Sequence, residues 1–149
     1  MSSAAPKYPT ERIALWGGEN FRFGKEVTLY AFRPEKPNGM SIIICPGGSY
    51  FWLSRYNEGF RVGEWLSSNG ITAFVLFYRT AGRPELVVRS RRLFRGKRYP
   101  DMFADVQRAL QYVHDHASQY NIDTGRIGMM GFSAGGHLIL SSECNHTTD

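Results

Sequence analysis

No apolar run in this 149-residue chain approaches the roughly 20 residues a membrane-spanning helix needs; the longest strongly apolar stretch is Ile71–Tyr78. The opening residues, Met1-Ser-Ser-Ala-Ala-Pro-Lys-Tyr-Pro9, lack the apolar segment of a secretory leader, so a cytoplasmic location is expected and no membrane partner. Without a leader, the glycosylation-type tripeptide Asn145-His-Thr carries no weight. Cysteine is scarce. Cys45 and Cys144 are too few for a disulfide framework, and Cys45, closing an apolar strand, reads as a reduced buried thiol. Internal repeats and low-complexity tracts are absent as well, and neither a metal nor a cofactor is expected.

What is present fits one globular domain over residues 1–149, with 42% hydrophobic and 14% aromatic residues to build a core. The formal charge of +5 is unevenly spread. Arg83, Arg89, Arg91, Arg92, Arg95, Lys97 and Arg98 face one acid, Glu85, and the rest of the chain is close to neutral. Such a segment is either a patch for nucleic acid or an anionic substrate, or a solvated surface insertion at about 83–98. No nucleic-acid motif or regular aromatic interleaving accompanies it, so the insertion is preferred and nucleic acid is not an expected partner.

Periodicity places the elements. Glu26–Phe32 alternates with period two and stops at Arg33-Pro34, which predicts a strand; Pro34–Gly39 is turn chemistry. Met40–Cys45 and Ile71–Tyr78 are continuous apolar runs, expected of strands buried on both faces. Between them Glu58–Ser68 shows helical spacing at Val62, Trp65 and Leu66, with Asn69-Gly70 as its stop. Asp101 is the expected cap of a second helix with apolar positions Met102, Val106, Ala109, Leu110, Val113, Ala117 and Tyr120. After a turn at Asn121–Arg126 comes a strand, Arg126–Phe132. Short strands alternating with helices predict an α/β fold, a mostly parallel sheet with helices on both faces.

Chemistry concentrates at Gly131-Phe-Ser-Ala-Gly-Gly136, a G-x-S-x-G element between that strand and a helix-compatible stretch. Strand, tight turn and helix make this a nucleophile elbow, with Ser133 exposed at its apex and the Ala134 N–H aimed at a developing oxyanion. A structural turn serine is the alternative. Acyl transfer through a serine also needs further donors. Pro46-Gly47-Gly48-Ser49, just past a core strand, suits that purpose, the missing side chains letting the backbone N–H groups of Gly47 and Gly48 approach a substrate oxygen. A turn that merely needs glycines would read the same way.

These residues resemble the α/β-hydrolase fold, and within it the esterase/lipase branch related to bacterial acetyl-xylan and feruloyl esterases. The resemblance runs from about 26 to 142, through Cys45–Tyr50, Glu58-Gly59, Trp65-Leu66, Gly70–Val75, Tyr78-Arg79, Asp105–Leu110, Ile122-Asp123 and Arg126–His137. It implies a serine ester hydrolase working through an acyl-enzyme on small acyl esters, acetyl or feruloyl groups on a carbohydrate among them. Such enzymes often end the oxyanion loop in a third glycine; here Ser49 takes that place.

Other titratable groups fit the scheme poorly. His137 is four residues from Ser133 on one helix and cannot reach back to the apex; the resemblance makes it part of the motif's packing. His114 and His116 lie off the apolar stripe of their helix, and Asp105 suits local hydrogen bonding better than a triad. In this fold the acid and base follow the nucleophile. Only 16 residues follow Ser133, and Glu143, His146 and Asp149 among them cannot span to the loops that normally supply the triad. The expectation is therefore the N-terminal half of a hydrolase, inactive alone and self-associating through an exposed sheet edge. A serine peptidase of the prolyl-oligopeptidase type, a non-catalytic remnant or binding protein, and a nucleic-acid binder using residues 83–98 are the other readings.

Overall fold

Along the central strands, apolar side chains face alternately to either side of a sheet, and that alternation organises the computed structural model, which describes residues 9–17, 20–21, 25–47, 56–79 and 99–132. The elements are β1 (Glu11–Ala14), β2 (Asn20–Phe21), β3 (Lys25–Glu26), β4 (Thr28–Phe32), β5 (Ser41–Cys45), a π-helical turn (Tyr56–Phe60), α1 (Arg61–Ser68), β6 (Thr72–Phe77), α2 (Tyr99–Asp115) and β7 (Ile127–Gly131). Five strands form one sheet in the order β1-β4-β6-β5-β7, while β2 and β3 make a small ribbon.

The sheet is mixed. β5 pairs in parallel with both β6 and β7, as the alternation of strands and helices requires. β4 runs antiparallel to β6 and to β1, which departs from the parallel pattern because the β2–β3 ribbon, not a crossover helix, occupies the stretch between β1 and β4. The strand expected over Glu26–Phe32 divides at Val27. Lys25 and Glu26 pair with β2, whereas Thr28–Phe32 joins the large sheet.

Helices cover both faces. On one side Leu29, Ala31, Ile43, Cys45, Phe74 and Leu76 meet Val106, Ala109 and Val113 of α2. On the other Phe32, Ile44, Ala73, Val75 and Phe77 meet Leu66 of α1. β6 is buried at every residue, which is why Thr72–Phe77 reads as an unbroken apolar run rather than an alternation. α1 ends where Asn69-Gly70 predicts: Gly70 adopts φ 82°, and the Gly70 and Ile71 N–H groups return to the Ser67 and Leu66 carbonyls. That pair of bonds is a Schellman close.

α2 starts at Tyr99, two residues before the expected cap at Asp101, with Pro100 compatible with a first turn. It ends at Asp115, so Ala117 and Tyr120 lie beyond it in a turn closed by Ile122 N–H to Ala117 O (2.8 Å), yet both still enter the core. Among the described residues no helix is long and apolar enough to cross a membrane. The basic segment 83–98 and Cys144 lie outside the described residues.

Candidate active site

Register brings the site together. In the parallel pair β5–β7, Ile44 is opposite Met130 and Cys45 opposite Gly131, so both strands leave the sheet at the same edge. The Phe132 N–H donates to the Cys45 carbonyl at 3.2 Å, carrying the pairing one residue further. Past Cys45 the chain turns through Pro46 into Gly47, against the end of β7. A Cβ built on Gly47 would lie 2.4 Å from the Phe132 carbonyl oxygen and 2.8 Å from Glu58 Oε2, so the position is closed to any side chain. The glycine is needed for space. In sequence Ser133 comes immediately after Phe132. Ser133, Gly48, Ala134, Ser49, His137, Glu143, His146 and Asp149 lie outside the described residues.

Two side chains hold the Pro46–Gly47 peptide. Tyr78, just past β6 and buried, donates its hydroxyl to the Pro46 carbonyl at 2.6 Å. Glu58, in the π-helical turn before α1, accepts the Gly47 N–H at 3.1 Å. That N–H was expected to face a substrate oxygen; in the structure it is committed to the carboxylate, an acceptor stronger than a neutral carbonyl. Neither brace is legible as such in sequence. Glu58-Gly59 and Tyr78-Arg79 stand out only as parts of the resemblance, because the contacts bridge 11 and 32 residues.

Behind the loop, the Cys45 thiol is fully buried, and desolvation pushes its pKa up to about 12. A neutral, inaccessible thiol is no nucleophile.

Asp105 is also fully buried but fully engaged. It accepts Trp16 Nε1–H at 2.8 Å, the Arg79 N–H at 2.8 Å and Arg79 Nη2 at 2.9 Å. Burial pushes its carboxyl up, while the bonds from Arg79 and Trp16 act in the opposite direction. Arg79 and Arg108 both lie near the Trp16 ring, at 5.8 and 5.6 Å from its centroid. The carboxylate thus ties β6's end to α2 and the chain after β1, the local bonding its position suggests.

His114 and His116 sit at the end of α2 that leads into the start of β7. Asp123 N–H, a few residues on, bonds Gly39 O just before β5, which fixes this end at the amino termini of the parallel strands. They are therefore a strand length, about 16 Å, from the Gly47–Phe132 edge. His116 is further occupied, its Nδ1 lying 2.8 Å from Tyr112 O and its ring stacked on Tyr112. Among the described residues no group of His, Cys, Asp and Glu could hold a metal ion.

Comparison with known proteins agrees with this arrangement. The BD-FAE family matches residues 85–147. An acetylxylan esterase of Xylanibacter ruminicola is 38% identical over 110 residues, covering 74% of this chain and 20% of its own length. The acetyl ester-xyloside bifunctional hydrolase of Caldicellulosiruptor lactoaceticus superposes with a TM-score of 0.68 at 32% identity, over 88% of this chain and 45% of its own. A thermophilic esterase of Thermogutta terrifontis shares the fold, with a TM-score of 0.66 at 22% identity over 91% of this chain and 43% of its own. The chain thus spans a fifth to less than half of these relatives. Within that span it has the α/β-hydrolase fold and resembles the acetylxylan-type esterases built on it.

Proposed function

We propose that this chain forms the nucleophile-bearing half of a serine carboxylic-ester hydrolase. The observation that carries the reading is the abutment of Gly47 on the Phe132 carbonyl, which sets the glycine loop beside the residue preceding Ser133. Ligands of open α/β sheets bind beyond the carboxyl ends of the strands, and this junction lies there.

On this reading Ser133 Oγ attacks the acyl carbonyl carbon and its proton passes to a general base. The carbonyl π-electrons move to oxygen, and that oxyanion is met by backbone N–H groups. Gly48 and Ala134 serve as donors; Gly47, whose N–H is held by Glu58, shapes the loop instead. Collapse of the tetrahedral species re-forms the carbonyl and breaks the ester C–O bond. The leaving oxygen takes the proton back from the base and departs as the alcohol, and the acyl group left on Ser133 is then released by water, which the same base deprotonates. No described histidine is near enough to act as base. Since the solved relatives carry about twice as much chain, we assign the base and its acid to sequence outside these 149 residues. Similarity to the Xylanibacter and Caldicellulosiruptor proteins favours acetyl esters of xylan-type carbohydrate as substrates.

Ser133→Ala in the full-length protein tests the reading. Assayed on p-nitrophenyl acetate and acetylated xylan, turnover is expected to fall by up to ~10⁶. Activity within about tenfold of the parent would remove Ser133 from the mechanism. Preferential cleavage of aminoacyl anilides would instead identify a peptidase.

A further inference from the structure

We infer that Glu58 and Tyr78 are positioning residues that lock the oxyanion loop by gripping opposite ends of one peptide unit. This rests on the serine hydrolase reading above. A peptide unit presents two polar groups, and in the trans form they point in opposite directions from a rigid plane. Between Pro46 and Gly47 both are taken: the carbonyl by the Tyr78 hydroxyl at 2.6 Å, the N–H by Glu58 Oε2 at 3.1 Å. No described peptide bond is cis. With both ends bound, rotation of the plane would break two hydrogen bonds at once.

The two braces are themselves anchored separately. Tyr78 follows directly on β6, the fully buried central strand, and is itself buried. Glu58 belongs to the π-helical turn whose Phe60 stacks on Phe77 and meets Tyr30 edge-on. π-helical turns recur at functional sites because the wider turn re-aims side chains. Space is restricted too, since Gly47 lies between the Phe132 carbonyl and the Glu58 carboxylate. The chain therefore enters the glycine loop from a peptide plane held at both ends, and on the proposed reading the Gly48 donor is built onto that fixed starting point. Oxyanion donors act through preorganisation, and misplacement by about 1 Å can cost ~10²-fold in rate.

The test uses the full-length protein and steady-state kinetics on p-nitrophenyl acetate, with thermal melts to give the folded fraction. Glu58→Ala and Tyr78→Phe should each lower kcat by ~10- to 10²-fold with KM changed less than about threefold, because the loop stabilises the transition state more than the bound ester. Glu58→Gln, whose amide oxygen can still accept the N–H, should recover most of the loss. Because both side chains act on one peptide, the double variant Glu58→Ala/Tyr78→Phe should lose less than the product of the single effects. Parental kcat in both single variants, losses that vanish once corrected for folded fraction, or strictly multiplicative effects would each overturn the clamp. Ser133→Ala run alongside separates the two ideas: if it is inactive while the clamp variants are normal, only the clamp fails, and if it is active the serine reading fails.

Discussion

A carboxylate with no water around it must be neutralised by its neighbours, and Asp105 is. Its partner Arg79 is only 20% exposed, so removing the acid leaves the bonds that Arg79 and Trp16 give it unmade in a largely dry place. We expect Asp105→Ala to destabilise the fold by ~3–5 kcal/mol, the usual consequence of breaking a buried pair from one side. The measurement is the urea midpoint at unchanged m-value. The contact between His114 and Asp115 is a control: it is 4.0 Å long with both side chains more than half exposed. Solvent screens such a pair, and Asp115→Ala should move the midpoint negligibly. The two carboxylates lie ten positions apart in sequence, and burial alone decides which one matters.

At the scale of elements, two glycines in and after α1 are required for different reasons, and alanine separates them. Gly63 lies under the Phe32 ring; a Cβ there would come within 2.7 Å of it. Alanine gains about 1 kcal/mol in helix propensity but forces a buried ring to move, an overpacking penalty of ~1–3 kcal/mol, so a net loss or at best a null effect is expected. Gly70 has φ 82° and a Cβ there would lie 3.2 Å from the Lys36 carbonyl, so Gly70→Ala should lose ~1–2 kcal/mol through backbone strain. Thermal melts of both variants test this, and a stabilised Gly70→Ala would contradict the left-handed closure of α1. The Gly70 stop was legible because its chemistry is local. Ser41–Cys45 and Thr72–Phe77 were legible too, since strands covered on both faces leave an unbroken apolar record. β1 left no such record: Glu11-Arg-Ile-Ala is short and mixed, and pairing with β4 is what makes it a strand. The start of α2 at Tyr99 is not legible, because a residue of capping type inside a first turn looks like a cap. In the site, the Gly-Gly and Gly-x-Ser-x-Gly strings stand out as motifs, but the commitment of the Gly47 N–H to Glu58 arises only when strands, turn and loop are brought together.

Over the whole molecule, the mixed sheet separates two apolar layers and delivers three parallel strand ends to one edge, where the glycine loop begins. β7 is the outermost of these, with one strand neighbour among the described residues and partly exposed side chains along its length. Cys45 lies at the centre of the arrangement, on the face covered by α2 and one residue short of the loop. Its thiol stays protonated up to about pH 12 in the fold, against 9.0 for an ordinary cysteine. The unfolded chain therefore gives up this proton first, and stability should decline as pH rises above about 9, continuing toward 12. At neutral pH the consequence is a molecular clock. An alkylating reagent reaches Cys45 only in chains that have opened, so the rate at which the Cys45 peptide gains mass, followed by mass spectrometry, counts openings. Asp105→Ala should speed that clock exponentially with the stability it removes, about tenfold for each ~1.4 kcal/mol, while a rate indifferent to the substitution would mean that reagents enter by a local breach. A stored sample would then carry in one sulfur atom the tally of the time its molecules have spent unfolded.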